Sequence, residues 1–193
     1  MAEVVLFHHA QGLTTGVLDF AQTLRDAGHT VHTPDLYDGH TFETLDEGLA
    51  HMKQVGFDSL LELGRSAGEA LPEAVVYAGF SLGVMPAQLL AQTRPGAKGA
   101  LLLESCVPPS EFGDDGWPAD VPVQVHGMDE DPIFAGEGDL DAGRALVAEV
   151  PDGELFLYSG TVHLFADNSI STYDADAAAL LADRVLAFLD RVA

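Results

Sequence analysis

The stretch AVVYAGFSLGVMPAQLLAQ, residues 74–92, changes character at its middle. Its first part, AVVYAGF, is a continuous apolar run, the pattern of a parallel strand covered on both faces. Its last part, VMPAQLLAQ, is built of helix formers, and Pro86 is tolerable there only within a first turn. Between them Gly79 and Gly83 flank Ser81. A strand that turns sharply into a helix needs residues without side chains where the two come close. The stretch therefore predicts a buried strand, a tight turn that presents Ser81, and a helix whose positive dipole end faces that serine.

The same rhythm runs along the whole chain. Further apolar runs are VVLF at 4–7, HTVHT at 29–33, GALLLE at 99–104, VPVQVH at 121–126 and ELFLY at 154–158. Helical patterns lie between them. Val17, Phe20, Ala21 and Leu24 share one face, and Gly28 follows as a C-terminal cap residue does. Leu181, Val185, Phe188 and Val192 share another, on a helix opened by Asp174 and Asp176. Strands alternating with helices imply an α/β fold with right-handed crossovers. No linker, repeat or low-complexity tract divides residues 1–193, which are read as a single domain, and the Pro-, Gly- and Asp-rich residues 105–120 read as one long loop.

Composition narrows the function classes. The chain carries 31 acidic and 8 basic residues, a formal net charge of −23, so phosphate-rich partners are repelled: no nucleic acid and no anionic membrane. Hydrophobic residues make up 47%, enough for a full core. The single cysteine, Cys106, excludes an internal disulfide, and after its strand it reads as a small buried residue. The opening MAEVVLFHHA has no basic n-region, and no segment approaches the ~18 apolar residues of a membrane helix. The expectation is a soluble, cytoplasmic protein, monomer or homodimer.

G-x-S-x-G occurs twice, around Ser81 and around Ser66 in LELGRSAGEAL. Ser66 sits among Phe57, Leu60, Leu61 and Gly64 at helical spacing, with no strand before it, and is read as an ordinary helix residue. Ser81 has the strand-to-helix context that a nucleophile elbow requires. A serine needs a base to take its proton and a third group to orient that base. In α/β-hydrolases these follow in the order nucleophile, acid, histidine. After VPVQVH comes GMDEDPIF, and after ELFLY comes SGTVHLFAD, both just past strand ends, where open α/β sheets bind ligands. His163 is thus the expected base. Asp131, before Pro132 and the anchoring pair Ile133 and Phe134, is the first choice of acid, then Asp129, with Glu104 an outside choice. The oxyanion hole requires two backbone N–H donors. Leu82 supplies one, and the first loop, HHAQGLTTG, the other, from Ala10 with Gln11 next. That loop has no G-x-G-x-x-G and no Walker pattern, so nucleotide binding is rejected. His8, His9, His126 and His163 lack metal-site spacing, so no metal and no cofactor is expected.

These features resemble the dienelactone hydrolase family of α/β-hydrolases. YSGTVHLFADNSISTYDADAAALLADRVLAFL is similar to that family's stretch around its catalytic histidine and last helix, and PDLYDG at 34–39 is also typical. The resemblance spans nearly the whole chain. It implies a single mostly parallel sheet of about six strands, flanked by helices, with no cap domain. It further implies a hydrolase with Ser81, Asp131 and His163 as its triad. The departures are specific. Serine stands where the family carries cysteine. His9 stands where its first loop has a glutamate. Asp167 stands where it has a substrate-binding arginine, four residues after the histidine. His9, Gln11, Asp167 and Phe134 are candidate pocket residues. The expected activity is cleavage of a small ester or lactone through an acyl-enzyme, with a preference for neutral over anionic substrates because Asp167 replaces the arginine. A thioesterase, or a non-catalytic binding or regulatory protein on a hydrolase scaffold, are the competing readings.

Overall fold

In a computed structural model, which describes residues 1–193, each apolar run becomes a strand: β1 (Glu3–Phe7), β2 (Thr30–His32), β3 (Val76–Phe80), β4 (Gly99–Leu103), β5 (Val123–Met128) and β6 (Gly153–Tyr158). They form one sheet of order β2-β1-β3-β4-β5-β6, and all neighbouring pairs are parallel. The sheet is thus wholly parallel. Every residue of β3, β4 and β5 is buried, which accounts for their unbroken apolar sequences. β5 runs two residues beyond the apolar pattern, so Asp129 follows the strand directly.

The helices are α1 (Thr15–Asp26), α2 (Leu45–Val55), α3 (Phe57–Glu69), α4 (Val84–Thr93), α5 (Asp139–Glu149) and α6 (Ala175–Val192). α1 starts at an N-cap, Thr14, whose hydroxyl accepts from the Val17 N–H, and Gly28 behind it has a φ of +96°. α2 starts with a complete capping box between Thr44 and Glu47. One sheet face is packed by Val17, Phe20 and Leu24 of α1 with Leu181, Val185 and Phe188 of α6. The other is packed by Leu60 of α3, Val84 and Leu90 of α4, and Leu140 and Leu146 of α5. The long 105–120 loop contains one short 3-10 turn, Pro109–Phe112.

Winding reverses at β1, which lies between β2 and β3. Loops leaving β1 and β3 therefore diverge to opposite faces and open a crevice at the carboxyl ends of the strands. No helix is long and apolar enough to cross a membrane.

Candidate active site

β3 passes into α4 through a 3-10 turn, Ser81–Gly83, in which Ser81 has a φ of +47°. Serine in that region is strained by about 1–3 kcal/mol, a cost that persists only where the surroundings over-determine the turn. The glycines supply that constraint. A Cβ on Gly79 would overlap the Gly83 carbonyl, and one on Gly83 would overlap the Phe7 carbonyl. Pro86 lies in the first turn of α4.

Three side chains from three loops meet here. The Asp131 carboxylate is fully buried, one oxygen accepting from the Ile133 N–H at 2.8 Å and the other 2.6 Å from His163 Nδ1. With Nδ1 donating to the carboxylate, His163 Nε2 presents its lone pair to Ser81 Oγ, 2.8 Å away. Phe134 pins the acid loop, its ring filling the space beside Gly127 where a Cβ would go. Asp129 instead accepts from the Gly160 N–H at 3.1 Å and is exposed. Ser66 stands exposed on α3 against Glu62.

Burial alone would lower the His163 pKa. The Asp131 hydrogen bond and the charges of Glu104, Asp131 and Asp139 outweigh that, and the net direction is upward. Glu104 is wholly buried, and burial pushes its carboxyl up to about 7 against the opposing pull of His163 and the Phe165 N–H. Cys106, also buried, is held up at about 12 by burial and by Asp139, so its thiol is not activated.

The first loop is fixed by its own histidines. His8 Nε2 accepts from the Leu36 N–H at 3.0 Å while Nδ1 donates to the His9 carbonyl. His9 Nδ1 accepts from the Gln11 N–H at 3.2 Å, which leaves Nε2–H to donate to Asp167 at 2.8 Å. His126 lies between Tyr158 and Gln124 within the sheet. All three rings thus have both nitrogens bonded to protein groups. The Gln11 amide is spent on His9, whereas the Ala10 amide has no protein partner.

The pocket candidates divide. Gln11 lines a cleft of about 260 Å³ with Glu43, Leu45, His163, Leu164 and Ile170. Its side chain holds the 42–43 segment there through the Phe42 and Glu43 carbonyls. His9, Asp167 and Phe134 are buried and are not among the residues that line this cleft. Asp167 accepts from His9, from the Thr14 hydroxyl, and from Ser169 through both backbone and side chain. Though burial alone would raise its pKa, those donors hold it down at about 2, so it is a charge spent internally, not a repulsive wall facing the substrate. Glu43, Leu45 and Ile170 carry no sequence signal of their own, since only the Gln11 clamp and the 164–174 turn bring them in. Four residues beyond Ser81, Met85 lines a groove of about 440 Å³ whose mostly apolar wall, with Phe57, Leu61, Val107 and Phe112, also carries Asp58 and Glu111.

The model of the dienelactone hydrolase family matches residues 1–193. Among solved structures, a dienelactone hydrolase-like promiscuous phosphotriesterase from metagenomic libraries superposes with a TM-score of 0.72 at 20% identity, covering 100% of this chain and 87% of that one. Esterase 2 of Thermogutta terrifontis, phosphonylated by cyclosarin, gives a TM-score of 0.70 at 14% identity, covering 99% of this chain and 83% of that one. At these identities the likeness is one of fold. No curated protein matches the chain by sequence.

Proposed function

The chain belongs to the dienelactone hydrolase family, and from that premise we propose that it cleaves small uncharged esters or lactones with Ser81 as nucleophile. One observation carries the reading: the unbroken chain from Asp131 through His163 to Ser81 Oγ, at 2.6 and 2.8 Å. His163 Nε2 takes the hydroxyl proton as Oγ attacks the carbonyl carbon. The Leu82 and Ala10 amides bind the oxyanion of the tetrahedral adduct. His163 then returns the proton to the leaving oxygen, and the acyl group stays on Ser81. A water, deprotonated by the same nitrogen, attacks the acyl carbon, and the imidazolium returns that proton to Ser81 Oγ as the acid leaves. Asp131 holds the tautomer throughout and stabilises the imidazolium.

The groove at Met85 suits an apolar arm of the substrate, and Glu43 in the Gln11 cleft disfavours an anionic one. The test is hydrolysis of a neutral p-nitrophenyl ester, with Ser81→Ala as control, and a fluorophosphonate probe to mark the reactive serine. Turnover that Ser81→Ala abolishes, with the adduct on the Ser81 peptide, supports the reading. An inert wild type, or labelling on Ser66, defeats it.

A further inference from the structure

Glu104 has no part in the proton path just described, yet it sits inside the site. It directly follows β4 with a left-handed φ of +64°, which a glutamate adopts at a cost. Its backbone N–H is tied to the His126 carbonyl at 2.6 Å. One carboxyl oxygen, Oε1, accepts from the Phe165 N–H at 2.7 Å. The other, Oε2, is buried with no hydrogen-bond partner. A buried carboxyl half satisfied in this way is costly, and an apolar residue would be the cheaper filling. Phe165 is two residues after His163, and between them Leu164 has a φ of +61°. The carboxyl therefore holds the backbone of the very turn that aims the imidazole.

We infer that Glu104 is a positioning residue of this site: anchored on the Phe165 N–H, its carboxyl sets both the turn that carries His163 and the charge behind that imidazole, and so governs how readily it takes the Ser81 proton. The inference rests on the Ser81–His163 reading above. The titratable groups that act on Glu104 are His163, Asp131 and Asp167, and its charge in turn reaches Tyr158 on β6; no lysine or arginine is among those acting on it. Glu104 and His163 act on each other's charge, so they behave as a pair with shared steps. When Glu104 is ionised, His163 is the stronger base. When Glu104 is neutral, that support is gone and only Asp131 and the more distant charge of Asp139 remain.

The experiment compares the wild type with Glu104→Gln, which keeps an acceptor for the Phe165 N–H and removes only the charge. The midpoint of the His163 ring resonance, followed by NMR, should fall by about one pH unit in the variant. The rate of fluorophosphonate labelling should reach its plateau at correspondingly lower pH, with a plateau several-fold lower. An unchanged midpoint, or a higher one, overturns the inference. Because the NMR readout needs no turnover, that failure is distinct from failure of the hydrolase reading. If the variant does not fold, carbon NMR of the wild-type glutamate carboxyls decides: one titrating near pH 7, with a matching inflection in the His163 resonance, supports the inference, and none doing so refutes it.

Discussion

Replacing Asp131 by asparagine tests the site at its most exposed assumption, since two neighbouring acids compete for the role. The Ile133 N–H at 2.8 Å requires an acceptor, so the new carboxamide keeps its oxygen there and turns its NH2 toward His163 Nδ1. Nδ1 must then accept, the proton moves to Nε2, and Nε2 no longer has a lone pair for the Ser81 hydroxyl. Flipping the amide restores the tautomer but sets two donors face to face at Ile133, at about 1–3 kcal/mol. Loss of the charge-assisted bond to the imidazolium adds about 1.5–3 kcal/mol. Together these correspond to a fall of about 10²–10⁴-fold in kcat/KM. Asp129→Asn keeps an acceptor for the Gly160 N–H and removes only an exposed charge, so it should cost less than about threefold. The assay is hydrolysis of a neutral p-nitrophenyl ester, with melting curves to show that both variants fold. A crippled Asp129→Asn beside a nearly intact Asp131→Asn would refute the reasoning.

Three other outcomes are expected. His163 works as a base only when neutral and its pKa is raised, so kcat/KM should fall as pH drops through a midpoint above 6.5, and a midpoint well below that value would count against the charges placed around it. Below pH 6.5 the unfolded chain takes up protons at His8 and His126, which burial holds near 4 and 3, whereas only the native state protonates Glu104 above pH 4.5. These three groups leave a net excess of about one proton in the unfolded state, so urea unfolding should show stability falling by roughly 1.4 kcal/mol per pH unit between 6.5 and 4.5, and a flat profile contradicts it. Asp167→Asn puts an NH2 among four donors, which at about 2 kcal/mol or more should lower the melting temperature by roughly 4–8 °C; an unchanged melting curve would show that the network carries no stability.

The sheet was legible because β3, β4 and β5 are covered on both faces and must be apolar throughout, and because Gly79 and Gly83 leave few alternatives to a close strand–helix turn. The spatial meeting of Ser81, Asp131 and His163 could be anticipated from their places after successive strand ends. Pocket walls were harder. Asp167 reads as a loop charge in one dimension, and only the fold brings it beneath His9 and Thr14, where its charge is spent internally. Glu104 reads as the last polar residue of a strand, and nothing in the sequence tells that Phe165 will stand over it. Residues 43–45 enter the cleft because two carbonyls are held by Gln11, a contact with no periodic or compositional trace.

The bond between His9 and Asp167 spans 158 positions. Its consequence lies in the order of synthesis. A nascent chain that has emerged as far as α5 already contains Ser81, Asp131 and the first loop, and its local helices can form within microseconds. Its first loop still lacks the carboxylate that His9 and Thr14 bind, and Ser81 has no imidazole beside it. Such distant closures are slow relative to local ones. Until the last loop is in place, the Ser81 hydroxyl therefore lacks the hydrogen-bond partner that the folded chain gives it.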